Sequence, residues 1–377
     1  MAETEAVMNL EPLIAMSGKY GSDPEYVLAG GGNTSYKEGG VMAVKASGEA
    51  LSDIGEDGFV LMDVDRLRGM TEAEYPDEDD AREACAIRDM MAARLEGQGE
   101  KRPSVECILH GLFPQKYVLH VHPALVNGLT CGRSSAKAAA ELYAQEASGF
   151  LWIPLTKPGF VLSKVCADMF AAYNKEHGMY PEIVMLQNHG IFAAADGIEG
   201  IDRIMEDLVR RVSGRILRQP EFGADTGSNT GAGRIAAELE KLTGCKTKYL
   251  VNGEIARFVR DREAYAPLLK PFTPDHIVYC RAWPLFAESA ESIPEGLSDY
   301  EERYGYTPKI LAVRGIGVFA LGKDENEASK AGALFLDAVK IAVYSESFGG
   351  PLPLPDEFTR FIANWEIESY RQKKAFS

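Results

Sequence analysis

The sequence predicts an α/β protein in two domains, and three observations carry that reading. Short β-forming runs alternate along the chain with helices of amphipathic spacing. A small, polar stretch, Gly223-Ala-Asp-Thr-Gly-Ser-Asn-Thr-Gly-Ala-Gly233, reads as a linker. Beyond it, segments of the first half return in weaker form. A chain of 377 residues is long enough for two domains of ordinary size, placed here at 1–222 and 234–377.

Composition narrows the class. With 46% hydrophobic and 25% charged residues, the chain has the make-up of a soluble globular enzyme. A formal net charge of −16 argues against nucleic acid or an anionic membrane as main partner. It does not exclude a small anion, which a nest of backbone N–H groups can bind. Cysteines 85, 107, 131, 166, 245 and 280 include no C-x-x-C pair, so free thiols in a reducing compartment are expected. The acidic start Met-Ala-Glu-Thr-Glu-Ala lacks a basic region and a long apolar run. No signal peptide or spanning helix is expected, and the cytoplasm follows.

In chain order, a first helix is expected over residues 7–17. Tyr26-Val-Leu-Ala reads as a strand running into Gly30-Gly-Gly-Asn-Thr-Ser35. Val41 to Gly48 and Phe59 to Asp63 read as two more strands. The glycines serve either a plain hairpin or an anion cradle. In the cradle reading, Asn33, Ser35, Ser47 and Gly48 offer donors to phosphate oxygens. Helices are expected over 81–95, 136–146, 163–175 and 201–217. Pro103-Ser-Val-Glu-Cys-Ile-Leu-His110 looks like a helix start, with Ser104 as cap or donor and Glu106 in the first turn. Glutamate there favours the helix dipole whatever else it does. His110, on the same face, is read as a packed histidine rather than a ligand.

The chemistry concentrates in Tyr117-Val-Leu-His-Val-His-Pro123. A strand alternates its side chains, so His120 and His122 leave one face together. Stacked surface histidines also show this spacing, but two imidazoles side by side can share a divalent cation. His189, in the segment Glu182 to Ala194, stands at the end of a second apolar strand just before a glycine and adds a third. Three histidines with an open fourth position suit catalytic zinc or a similar divalent metal.

The second half carries the faint repeat. Ile310 to Ala320, with the helix that follows, parallels Ile183 to Ala193, and Pro274 to Cys280 parallels Pro114 to His120. This alignment puts Cys280, Ala282 and Ile316 at the positions of His120, His122 and His189. His276 falls opposite Lys116 and is read as structural. The second domain is then a smaller, degenerate relative without metal ligands, serving packing or oligomer assembly.

Gly-Gly-Asn-Thr-Ser, Lys-Ala-Ser-Gly, Pro-Ser-Val-Glu, His-Val-His-Pro and Gln-Asn-His-Gly stand in the order and spacing of a known family. Over residues 30–190 the chain resembles the class II aldolase/adducin family. It is most similar to the aldolase portion of bifunctional rhamnulose-phosphate aldolase/dehydrogenase proteins. Asn364-Trp-Glu-Ile-Glu-Ser-Tyr370 is similar to the stretch joining those two portions, and no Gly-x-Gly-x-x-Gly occurs, so the dehydrogenase portion is expected to be absent. The resemblance implies a three-layer α/β/α fold around a mainly antiparallel central sheet. It implies rings of four with sites at subunit borders, hence a homo-oligomer here, dimer or tetramer.

Residue by residue, the resemblance makes His120, His122 and His189 the ligands of Zn2+ or another divalent metal. Glu106 matches the catalytic acid/base, and Asn33, Ser47, Gly48 and Ser104 match the phosphate-binding positions. One departure is Val105, where members often carry a second serine. A tyrosine that some members use to protonate the aldehyde oxygen is not placed by this sequence. The implied activity is zinc-dependent cleavage of a phosphorylated ketose, as rhamnulose-1-phosphate aldolase performs it, giving dihydroxyacetone phosphate and a small aldehyde. Alternatives on the same site are a sugar-phosphate epimerase or dehydratase, or a non-catalytic adducin-like scaffold. Retention of all three histidines and Glu106 argues against the scaffold.

Overall fold

The computed structural model of the protein describes residues 8–144, 149–223 and 231–364. Residues 224–230 of the expected linker and the Trp365–Tyr370 stretch lie outside them. So do Val7 and residues 145–146, the ends of two expected helices. The chain packs as two compact units. One holds the residues up to Pro123 together with Ala139–Arg211, and the other holds Ala124–Ala138 together with the residues from Val212.

The first unit is built on seven strands: β1 (Asn33–Glu38), β2 (Val41–Lys45), β3 (Phe59–Asp63), β4 (Tyr117–Val121), β5 (Phe150–Ile153), β6 (Ile183–Leu186) and β7 (Gly190–Ala195). Their order is β3-β2-β1-β4-β7-β6-β5, antiparallel throughout except for the parallel pair β5 and β6. Alternation along β1 assigns the layers. Thr34 Oγ1 meets Ser17 Oγ of the Glu11–Gly21 helix at 2.7 Å. Its neighbours Asn33 and Ser35 instead bond His110 of the Cys107–Leu112 helix, so the sheet has a helix on each face. On the His110 side, Val44, Met62, Met90 and Ile108 form one apolar cluster. Val118, Phe170, Val184 and Phe192 form another there. This is the three-layer, mainly antiparallel sheet that the resemblance implied.

Two local expectations change. Tyr26 to Ala29 is a turn, not a strand: the Asp23 carbonyl accepts from the N–H of both Tyr26 and Val27, and Ala29 has φ 52. The segment Glu182 to Ala194 holds a second strand beyond the expected one: the chain reverses at Asn188, with φ 56, and returns as β7.

The second unit holds β8 (Lys246–Leu250), β9 (Leu285–Ala287), β10 (Ile310–Val313) and β11 (Gly317–Gly322), in the order β8-β11-β10-β9. Pair for pair this repeats β4-β7-β6-β5. The β10–β11 and β8–β11 pairs are antiparallel and β9 runs parallel to β10, as do their counterparts. Even the connecting turn is copied, with His189 N–H bonding the Leu186 carbonyl at 3.3 Å and Ile316 N–H bonding the Val313 carbonyl at 3.0 Å.

One part of the sequence alignment is corrected here. Pro274–Cys280 is a helix with Pro at its start and every residue buried. The true counterpart of β4 is therefore β8, and Tyr249, paired with Phe319, stands where His120 pairs with Phe192. Ile316 does take the place of His189, whereas Cys280 and Ala282 do not replace His120 and His122. His276 is structural, accepting from the Phe272 N–H at 3.3 Å while its other nitrogen meets Asp337 at 3.1 Å.

The segment 124–138, which the sequence reading kept with the first domain, packs with the second unit. The Ala124–Thr130 helix lies so close to the Glu325–Ser345 helix that a Cβ on Gly128 would stand 2.3 Å from that of Tyr344. All six cysteines are free. No helix among the described residues is long and apolar enough to cross a membrane.

Candidate metal centre

His120, His122 and His189 come together at one end of β4. Their ligand nitrogens all lie within 4.8 Å of one another. His120 is the last residue but one of β4, His122 stands just past the strand, and His189 hangs from the β6–β7 turn. Close packing makes this possible: a Cβ on Gly190 would lie 2.5 Å from His122 Cδ2 and 2.6 Å from the Val121 carbonyl. Only glycine lets the turn come this near the ring.

The hydrogen bonds fix what the ring nitrogens present. His120 Nδ1 faces the Ile191 carbonyl at 2.8 Å, and since a carbonyl only accepts, Nδ1 carries the proton. Burial lowers the His120 pKa to about 4 against the pull of Glu106, so the ring is neutral near pH 7. Its Nε2 therefore turns a lone pair toward His122 Nε2, 2.9 Å away, and toward Glu106 Oε1, 3.2 Å away. His189 Nε2 lies 3.1 Å from the same carboxylate oxygen. Burial opposes ionisation of Glu106, and positive charge at the histidine cluster is what holds its carboxyl below the ordinary range. A carboxylate facing the His120 lone pair is satisfied by a cation, and three converging imidazoles suit a divalent metal.

Glu106 is at the N-cap position of the Cys107–Leu112 helix, one residue ahead of the helix rather than in its first turn. Its side chain makes no capping bond. Instead Oε2 accepts from Asn33 Nδ2 at 2.6 Å. A residue there as a helix-start preference would cap; this one is aimed at the histidines.

The expected phosphate residues are stitched together next to Glu106. Ser47 N–H bonds the Arg102 carbonyl at 2.7 Å and Ser104 N–H bonds the Lys45 carbonyl at 3.0 Å, which sets the Ser47–Gly48 turn beside Ser104. Gly48 has φ 87. Buried Lys45 ties the glycine loop to this turn, its Nζ donating to the carbonyls of Gly30 at 3.3 Å and Glu49 at 2.6 Å. Asn33 is engaged elsewhere. Its Nδ2 donates to Glu106 and, at 3.1 Å, to Ser104 Oγ, while Oδ1 meets His110 Nε2. His110 is the packed histidine the sequence suggested, with no nitrogen left for a metal. The reading missed Lys45, although it sits inside a quoted motif, and the Ile191 carbonyl, which no side chain could have signalled.

The sequence pattern of the Class II Aldolase and Adducin N-terminal domain matches residues 13–211, more than half of the chain. The chain belongs to the class II aldolase and adducin family. A curated relative, the Bacillus subtilis (strain 168) protein named "Uncharacterized oxidoreductase YuxG", is 24% identical over 413 residues. The alignment takes in 96% of this chain, which spans 58% of that protein's length. Among solved structures, the N-terminal class II aldolase domain of a Thermoplasma acidophilum protein is 26% identical, with a TM-score of 0.46, covering 57% of this chain and 96% of that one. L-fuculose-1-phosphate aldolase from Thermus thermophilus is 17% identical with a TM-score of 0.33, covering 54% of this chain and 94% of that one.

Proposed function

We propose that the protein is a zinc-dependent aldolase that cleaves a phosphorylated ketose to dihydroxyacetone phosphate and a small aldehyde, as a rhamnulose-1-phosphate aldolase does. The observation that carries this reading is Glu106 Oε1 lying 3.2 and 3.1 Å from two of three converging histidines. His120, His122 and His189 would hold the metal, which supplies positive charge to polarise a substrate carbonyl. The chain's own residues supply the rest.

Aldol cleavage breaks a carbon–carbon bond, takes a proton from the hydroxyl on the carbon that becomes the aldehyde, and returns a proton to the carbon of the phosphate-bearing half. Glu106 is the carboxylate beside the histidine cluster, and its Oε2 is held by Asn33 so that Oε1 faces the reacting side. Ser47, Gly48 and Ser104, with the glycine loop that Lys45 draws in, make a compact cradle for the phosphate. Val105 leaves one serine fewer than members often carry. The same site serves epimerase or dehydratase chemistry with other substrates. Assembly as a homo-oligomer is part of the proposal, after the family's habit.

The test is a panel of ketose 1- and 5-phosphates, incubated with the zinc-loaded protein and followed for aldehyde and triose phosphate. Release of both from one sugar, abolished by a chelator and restored by zinc, is the expected result. Release from none of them would refute the aldolase assignment.

A further inference from the structure

His110 is fully buried and both of its ring nitrogens are engaged, Nδ1 with Ser35 Oγ at 2.7 Å and Nε2 with Asn33 Oδ1. Glu106 sets the direction of this chain of bonds. The Asn33 nitrogen stands 2.6 Å from Glu106 Oε2 and 3.1 Å from Ser104 Oγ and donates to both. The Asn33 oxygen then faces His110, and since it too only accepts, His110 carries its proton on Nε2. Nδ1 in turn accepts from the Ser35 hydroxyl. Beneath the ring, Lys37 Nζ donates to the His110 carbonyl at 2.9 Å, and burial together with this cation disfavours a charged imidazole.

We infer that His110 is a positioning residue: as the neutral Nε2–H tautomer it locks the Asn33 amide, and through it the Glu106 carboxylate, toward the three histidines. Without that donor the Asn33 amide turns over and sets its oxygen against the carboxylate, freeing Glu106 to swing. The inference assigns Asn33 to orienting Glu106 rather than to binding phosphate by its side chain. It rests on the proposed acid/base role of Glu106 for its effect on rate, but not for the tautomer itself.

Two measurements test it. Histidine-labelled 15N NMR of the intact protein should show His110 neutral with its proton on Nε2, and the signal should move in Asn33→Ala. A proton on Nδ1, or a signal indifferent to Asn33→Ala, would overturn the inference. On a ketose phosphate that the wild type cleaves, His110→Phe keeps the volume, in edge contact with Phe192, but loses the donor. It should lower kcat roughly 10–100-fold with KM and metal content near wild type. His110→Gln, which offers an amide N–H at the Nε2 position, should restore most of the loss. The double variant with Asn33→Ala should be no slower than Asn33→Ala alone. Equal losses in the Phe and Gln variants, or additive losses in the double variant, would equally overturn it. Should the wild type cleave none of the sugars, the aldolase reading falls while the NMR result still decides the role of His110.

Discussion

The Tyr249 hydroxyl donates to the Ile316 carbonyl at 2.6 Å, and these residues stand where His120 and His189 stand in the first unit. The second unit thus keeps the architecture of a metal site and fills it with a phenol and an alkyl chain. Gly317 repeats the close approach of Gly190, since a Cβ there would lie 2.6 Å from the Tyr249 ring.

The protein should therefore bind one divalent ion per chain. Metal analysis should find about one equivalent in the wild type and close to none in His120→Ala/His122→Ala. Tyr249→Phe should leave the metal content unchanged and cost about 1 kcal/mol of stability from its lost hydrogen bond. Two ions per chain, or metal lost on Tyr249→Phe, would contradict the assignment of the site to the first unit.

Gly190→Ala should weaken the metal centre without removing a ligand. The new methyl would meet His122 Cδ2 and the Val121 carbonyl at distances that no packing tolerates, so either the ring or the turn must move. Metal affinity should fall roughly 10–100-fold, as when a group that orients a ligand is lost. The overpacking should cost about 1–3 kcal/mol in stability. Titration with a competing chelator and a urea melt of the metal-free protein separate the two effects.

Lys37 gives a pH dependence with a definite sign. Burial, assisted by the Arg68 charge, lowers its pKa from 10.5 to about 7. Between those values the unfolded chain binds the proton and the folded chain releases it, so stability rises with pH through this window. Below about pH 7 the fold carries the whole penalty, on the order of 5 kcal/mol. Lys37→Met removes the titrating amine. The stability difference between variant and wild type, from urea melts, should favour the variant most near pH 6.5 and shift toward the wild type by pH 10. A difference independent of pH would show that Lys37 does not titrate in this window.

How much of this was readable in the sequence follows from what each residue depends on. Three histidines and Glu106 could be named because their motifs are short and local, and the fold only had to bring them together. His110, Ser35 and Asn33 are separated by up to 77 residues, and their shared network depends on the register of β1 against a helix. Pro274 to Cys280 misled because a helix buried on every side shows no apolar period, and a short apolar run then resembles a strand. Lys-Thr-Lys-Tyr-Leu, the real β8, went unread because it is short and exposes its lysines along the sheet edge. The turn at Asn188 lay hidden in an apolar run, since only its backbone angle breaks the strand.

The central claim is that Glu106 moves a proton beside a metal held by three histidines. Glu106→Gln keeps the side chain's size and an oxygen for Asn33, but cannot exchange a proton. The measurement is turnover of the sugar phosphate found in the panel, taken with the metal content of the same preparation. A fall in kcat on the order of 10²–10⁴-fold with the metal still bound is the predicted result. Near-normal turnover with metal bound would make Glu106 a structural residue and contradict the mechanism.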